Sequence, residues 1–121
     1  MTSMQDKVLA DLEALGPEFG VECIATMKWA NTGTIQYVDG YVMVLEFTFE
    51  FNSGYGTDGP RATFEGVPNP ERADEPARAM GANWWYLHLP EVPKFIKEVR
   101  NILARHKIDK ENEWLTAQAA R

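Results

Sequence analysis

Apolar and polar residues alternate along the segment 41–51. Every odd position in this segment is large and apolar, and the later even positions are Glu46, Thr48 and Glu50. Because successive side chains of a β-strand point to opposite faces, a period of two is typical of a strand that buries one face. The segment therefore predicts a half-buried strand. It also makes a sheet the organising element of the fold and requires a layer that covers the apolar face.

Four more segments have the patterning of strands. They span residues 21–29, 34–38, 61–65 and 83–89. In the first of them every odd position is apolar, up to Trp29, which repeats the phase of the segment 41–51. Together the five segments favour an antiparallel sheet of about five strands, largely in meander order.

Two short loops decide how the first three strands pair. A two-residue turn at Asp39-Gly40 would place the odd face of one strand beside the even face of the next. We therefore predict two three-residue loops that end in glycine. They are residues 31–33, which would pair Trp29 with Ile35, and residues 38–40, which would pair Tyr37 with Tyr41. All odd positions from 21 to 51 would then share one face.

Two amphipathic helices are predicted from apolar residues that recur every three to four positions. The first spans residues 4–15 and stops at Gly16-Pro17. The second begins near Val92 and is expected to cover the apolar face of the sheet. A separate short helix follows, at residues 109–119. The chain is therefore predicted to be a single α+β domain over residues 1–121.

The net charge and the cysteine content limit which class of partner the protein binds and in which cellular compartment it is expected. The 121 residues carry a net charge of −6 and one cysteine, Cys23. An acidic protein repels nucleic acid and favours a protein partner with a basic surface. No apolar stretch approaches the roughly 18 residues of a membrane helix, and the N-terminus does not resemble a signal peptide. Because a lone cysteine cannot form an internal disulfide, we expect a cytoplasmic protein.

The sequence contains one literal cofactor motif, G-x-G-x-x-G at residues 54–59. A dinucleotide site needs this loop to open a helix whose N-terminus holds a phosphate. Residues 61–65 predict a strand instead, and Asp58 would repel phosphate. The motif is therefore interpreted as a flexible connection between strands, with Tyr55 at its tip as a candidate protein contact.

Catalytic and metal-binding patterns are missing from the sequence. Glu46 and Glu50 share a strand face about 13 Å apart, beyond the roughly 5–9.5 Å that glycoside hydrolysis uses. His88 and His106 are the only histidines, and neither belongs to a metal-ligand spacing. We therefore predict no enzyme activity, no cofactor and no metal site.

The pair Trp84-Trp85 is the most unusual feature of the fifth predicted strand. Adjacent strand residues point to opposite faces, so one tryptophan faces outwards unless helices cover both faces. An outward tryptophan is typical of the centre of a protein interface. The predicted partner-binding residues are Tyr55, Asp58, Trp84, Trp85, Glu46 and Glu50.

The predicted function is that of a small acidic protein-binding module that occupies the surface of a partner. In profile alone this is similar to immunity proteins, phage-encoded inhibitors and secretion chaperones. One alternative is a small-ligand binder or minor enzyme with a pocket between sheet and helix, lined by Tyr37, Tyr41, Tyr86 and His88. Another is a structural subunit, for example a homodimer joined through the protruding edge of the third strand.

Overall fold

The computed structural model describes residues 3–53, 59–72 and 82–120. Five antiparallel strands form one sheet in the order of the sequence, with a helix before and a helix after them. The elements are α1 (Met4–Glu18), β1 (Glu22–Trp29), β2 (Thr32–Asp39), β3 (Val42–Asn52), β4 (Arg61–Glu65), β5 (Trp84–His88) and α2 (Val92–Ala119). The predicted α+β meander is confirmed.

Helix α1 continues past the predicted stop at Gly16-Pro17. Pro17 lies inside its last turn, and the Phe19 and Val21 N–H groups still donate to the carbonyls of Leu15 and Gly16. Gly16 has a different role from the one predicted. A Cβ atom there would lie only 3.0 Å from the Cβ of Cys23, so glycine allows α1 to approach β1 closely.

Helix α2 is one continuous helix of 28 residues. The separate short helix predicted at 109–119 is its final part. After Pro93 the segment contains neither glycine nor proline, so nothing in the backbone ends the helix at the point where the apolar residues become sparse. The buried residues of α2 all lie in its first half, from Val92 to Leu103.

Both hairpin turns between the first three strands have two residues instead of the predicted three. They lie at 30–31 and 40–41. Each turn is accompanied by a β-bulge, which adds Lys28 to β1 and Val44 to β3. A two-residue turn by itself would place the odd residues of one strand on the same face as the even residues of the next. The extra residue at each bulge corrects this offset. The odd positions on the far side of each bulge from its turn therefore share one face, as predicted, although the turns have two residues instead of three.

The bulges change the pairs that the sequence predicts. Tyr37 pairs with Leu45 and Ile35 pairs with Ala25, so the predicted pairs Tyr37–Tyr41 and Trp29–Ile35 are wrong. Trp29 pairs instead with Thr32, on the turn side of the bulge. It therefore lies on the face opposite to Ile35 and is 66% exposed.

Strand β1 is an edge strand that α1 contacts near its beginning, and most of its side chains remain exposed. Its odd positions were predicted to be buried, but Cys23 is only half-buried, and Ala25 and Met27 are exposed. The close contact of α1 with β1 lies at Gly16 and Cys23. The predicted burial therefore holds for β2 and for the odd positions of β3 from Leu45 onwards, and not for Met43 or for β1.

Phe95 of α2 lies at the centre of the core. Its ring stacks on Phe64 of β4, with centroids 3.8 Å apart and planes 9° apart. It makes edge contacts with Phe47 of β3 at 5.0 Å and with Trp85 of β5 at 5.5 Å. One helix residue thus joins three strands.

Helix α1 covers the same face of the sheet at β1 and β2. The Tyr37 hydroxyl, fully buried, donates to the carbonyl of Leu12 at 2.6 Å. Arg100 of α2 pairs with Glu18 at the end of α1. The two helices and the sheet therefore form two layers, with the core between them.

Replacing Phe95 with alanine is expected to lower the free energy of unfolding by about 3–5 kcal/mol, because the cavity would remove contacts to three strands at once. Urea denaturation followed by tryptophan fluorescence would measure the change. Tyr41→Ala is the matched control, since Tyr41 is fully exposed and its loss should change stability by less than about 0.5 kcal/mol. Equal losses for the two variants would contradict this account of the core.

Candidate functional site

No described α-helix or strand covers the face of the sheet opposite the two helices, although Arg72, in the segment after β4, reaches over it at Trp84. Polar residues alone would suffice for a solvated face. Two rows of paired residues nevertheless cross it from β1 to β5 and end in aromatic side chains. The first row is Trp29, Thr32, Glu50, Thr63 and Tyr86, and the second is Thr26, Thr34, Thr48, Glu65 and Trp84. We call this surface the open face.

At its β5 edge the open face carries an ordered aromatic group. The rings of Trp84 and Tyr86 lie 6.3 Å apart. Arg61 donates to the Tyr86 hydroxyl at 2.6 Å, and the Arg72 guanidinium lies 5.5 Å from the centre of the Trp84 ring. These contacts hold the rings in place while Tyr86 remains 53% exposed. Ordered aromatic and arginine side chains are the residues most enriched at the centres of protein interfaces.

The middle of the open face is acidic. Glu46 and Glu50 of β3 and Glu65 of β4 are all exposed there. Gln36 of β2 donates to a carboxylate oxygen of Glu46 at 2.6 Å, which orients that side chain. The remaining positions of the two rows are mostly threonines. Carboxylates and hydroxyls that point outwards from one sheet face offer hydrogen-bond acceptors to a partner.

The structure places only some of the predicted partner-binding residues on the open face. Trp85 is buried, and its indole N–H donates to the carbonyl of Val67 at 2.8 Å. Trp84 is therefore the outward member of the pair and joins Glu46 and Glu50 on the open face. Tyr55 and Asp58 lie outside the described residues.

The open face also includes an aromatic residue that the sequence interpretation missed. The odd-position pattern of β1 placed Trp29 with the core, whereas the bulge at Lys28 turns it to the open face. Glycine at position 33, directly across from Met27, was the available signal. A Cβ atom there would lie 2.4 Å from the Thr26 carbonyl oxygen, so the chain is unusually tight at this point.

The residues of the alternative ligand pocket do not converge. Tyr37 is buried under α1, where burial is the main cause that raises its pKa. Tyr86 and His88 lie on the opposite face of the sheet, and Tyr41 lies in the β2–β3 turn. Four side chains on three separate surfaces cannot line one pocket between sheet and helix.

Nucleophilic and metal chemistry have little support among the described residues. Burial, with a smaller effect from Glu13, raises the pKa of the Cys23 thiol, which disfavours the reactive thiolate. No three His, Cys, Asp or Glu side chains in residues 3–53, 59–72 and 82–120 come together as metal ligands. The described helices also include none with the length and apolar content needed to cross a membrane.

A second notable surface is a cleft of about 540 Å³ beside α2. It lies between the end of α1, the β2–β3 turn and the second half of α2. Its apolar walls come from Phe19, Trp114 and Leu115. Asp39 lies at its edge, where His106 Nε2 is 2.9 Å from one carboxylate oxygen and Lys110 Nζ donates to both oxygens, at 2.9 and 3.1 Å.

Comparisons with protein-family models, with curated proteins and with solved structures find no match for this chain.

The contacts of Asp39 predict a pH-dependent contribution to stability. Hydrogen bonds from His106 and then from Lys110 lower the pKa of Asp39 in the folded protein. Stability from this pairing is present above the unfolded-state pKa of aspartate, about 3.9, and is lost as pH falls through the lower folded-state pKa. We expect Asp39→Asn to be less stable than the native protein at pH 7, with a difference that shrinks as the pH falls below about 4.

Urea midpoints measured from pH 7 to pH 3 would test this expectation. Asp109→Asn is the control, because Asp109 is an exposed carboxylate on α2, the helix that carries His106 and Lys110. A difference between Asp39→Asn and the native protein that stays constant over the whole range would contradict it.

Proposed function

We propose that this protein is a non-enzymatic protein-binding module that acts by covering the surface of a partner with its open face. The observation that carries the proposal is the combination on one uncovered sheet face of Trp29 at one edge, Trp84 and Tyr86 at the other, and glutamates between them. Exposed aromatic residues around a defined surface are typical of interaction sites.

The shape of the open face favours a macromolecule as its ligand. Five strands about 4.8 Å apart separate the aromatic edges by about 19 Å, a span suited to a protein surface. Small-molecule sites are usually concave and bury most of their ligand. The open face is built from the outward side chains of one sheet, and no described α-helix or strand lies above it.

The charge of the open face favours a basic partner. Glu46, Glu50 and Glu65 lie near its centre, and the whole chain carries a net charge of −6. Complementary charge speeds association and selects among partners more than it adds affinity. The aromatic edges would then supply most of the binding energy. An inhibitor, an immunity protein or a chaperone would each act in this way, in the cytoplasm that a single cysteine favours.

A second candidate function, as a subunit of a larger assembly, is favoured by the first part of β3. Strand β4 pairs only with residues 48–52 of β3. Among the described strands, Val42 and Met43 therefore have a neighbour on one side only, and both side chains are about half exposed. An exposed strand edge of this kind accepts another strand.

Reversing charge on the open face is expected to weaken partner binding. The partner would first be recovered from native lysate with the full chain as bait and then purified. We expect Glu46→Lys/Glu50→Lys to lower the association constant at least tenfold at low salt and to remove most of the salt dependence. Isothermal titration calorimetry at two salt concentrations would measure both effects.

The control for charge reversal is Asp11→Lys/Glu13→Lys, which makes the same change of charge on the exposed side of α1. Equal affinity of the partner for both double variants would rule out the open face as the binding surface. Turnover of the partner, instead of stoichiometric binding, would rule out a non-enzymatic role.

Replacing Trp29 tests independently whether the open face is the binding surface. Trp29→Ala should lower affinity for the same partner by about 2 kcal/mol, the loss typical of an interface hot spot. Because Trp29 is 66% exposed, its loss should leave the urea midpoint nearly unchanged. Normal affinity of a normally folded Trp29→Ala protein would place the β1 edge outside the interface.

A further inference from the structure

We propose that the open face receives a basic α-helix of the partner, which lies along the strands between the two aromatic edges. This inference rests on the proposed function, because it names the part of the partner that the same surface contacts. Three features of the open face carry it: short side chains in the middle, large rings at both edges, and carboxylates at defined positions between them. The helix would add a third layer to the sheet, opposite α1 and α2.

The width of the open face suits a single helix. The strands β2, β3 and β4 carry short side chains in its middle, which are Thr32, Thr34, Thr48 and Thr63. The large rings lie outside them, with Trp29 on β1 and Trp84 on β5. The two edge strands are about 19 Å apart, and a helix with its side chains is about 10–12 Å across. One helix therefore fits between the aromatic edges and can contact both.

Other elements of a partner fit the open face less well. An extended segment adds to a sheet through the free backbone groups of an edge strand, but Glu50 and Glu65 lie on strands with a neighbour on both sides. A second sheet would pack through interdigitating apolar side chains, whereas the middle of the open face has threonines and glutamates. A helix contacts the face through side chains alone and needs neither condition.

The carboxylates determine the charge of the helix. Glu46 and Glu50 lie about 13 Å apart along β3, and Glu65 lies about 8 Å from each, because it pairs with Thr48 between them. All three are exposed. Within residues 3–53, 59–72 and 82–120 none of the three forms an ion pair. Lysine or arginine side chains of the partner would offset their mutual repulsion.

The positions of the carboxylates also predict the spacing of these basic residues. Positions i and i+7 of a helix lie on one side, about 10.5 Å apart, and long side chains extend from them to Glu46 and Glu50. Position i+3 or i+4 lies between them and to one side, where it would reach Glu65 on β4. The apolar stems of these side chains would cover the threonines, and apolar residues beside the basic stripe would contact the aromatic edges.

Synthetic peptides test the helix with the full chain. The probe is an alanine-rich peptide of about 18 residues, long enough to form a helix, with arginines at i, i+3, i+4 and i+7 and leucines beside them. Isothermal titration calorimetry at low salt should give a dissociation constant of about 100 μM or lower. Two control peptides should bind at least tenfold more weakly: one has the same composition with its arginines spread around the helix, and the other has a central proline that breaks the helix. Equal binding of the three peptides, or no binding of the probe, would overturn the proposal.

Replacing single carboxylates tests the positions of the arginines. Glu65→Gln should weaken binding of the probe at least threefold, and replacing the two middle arginines with glutamine should then have little further effect. Glu46→Gln should be coupled in the same way to one terminal arginine. Glu13→Gln, on the exposed side of α1, is the control and should leave the affinity unchanged. Equal coupling for every combination of carboxylate and arginine would overturn the arrangement.

The helix and the proposed function fail separately. The variant Glu46→Lys/Glu50→Lys shows whether the purified partner binds the open face at all, and unchanged affinity would remove both proposals. If this variant loses the partner, hydrogen exchange of the partner in complex with the native chain identifies the element in contact. Protection of a basic helix would support the inference. Protection of a strand or a loop would overturn it and leave the open face as the binding surface.

Discussion

The whole structure depends on keeping the large rings of the sheet on one side. Phe47, Phe49 and Phe64 must all face the helices, because each would cost roughly 2 kcal/mol or more if left in water. Two-residue turns are compact, but each of them reverses the phase of the following strand. The bulges at Lys28 and Val44 restore the phase. The core is thus made continuous by two local irregularities, and Phe95 then joins its strands from above.

Covering the sheet on one side only has a functional consequence. Both helices pack on the aromatic face, and residues 3–53, 59–72 and 82–120 provide no layer for the other. The two-residue turn at 30–31 pairs Trp29 with Thr32 on this second face, at the edge of the sheet opposite Trp84 and Tyr86. The turn that connects β1 to β2 therefore sets the outward position of Trp29.

Much of the fold follows from the sequence, but specific parts do not. The alternation around Phe47 predicts the strand and its buried side, because only one phase removes the rings from water. The position of Trp29 depends on a bulge, which leaves no mark in hydrophobic periodicity. Alternation indicates that one of Trp84 and Trp85 faces outwards, but the choice depends on how β5 pairs with β4 after a long connection. The continuity of α2 could not be predicted, because its second half is rich in charged residues and lacks a regular apolar stripe. In a sequence, the loss of such a stripe resembles the end of a helix.

The continuity of α2 also determines how its second half is oriented relative to the core. The first half of the helix is locked in the core from Val92 to Leu103, and the helix after Pro93 contains no glycine or proline that would let the second half bend. Insertion of one residue after Lys110 would turn Trp114 by about 100° around the helix axis and leave the core untouched. The number of residues between Leu103 and Trp114 therefore sets the direction in which the Trp114 side chain points.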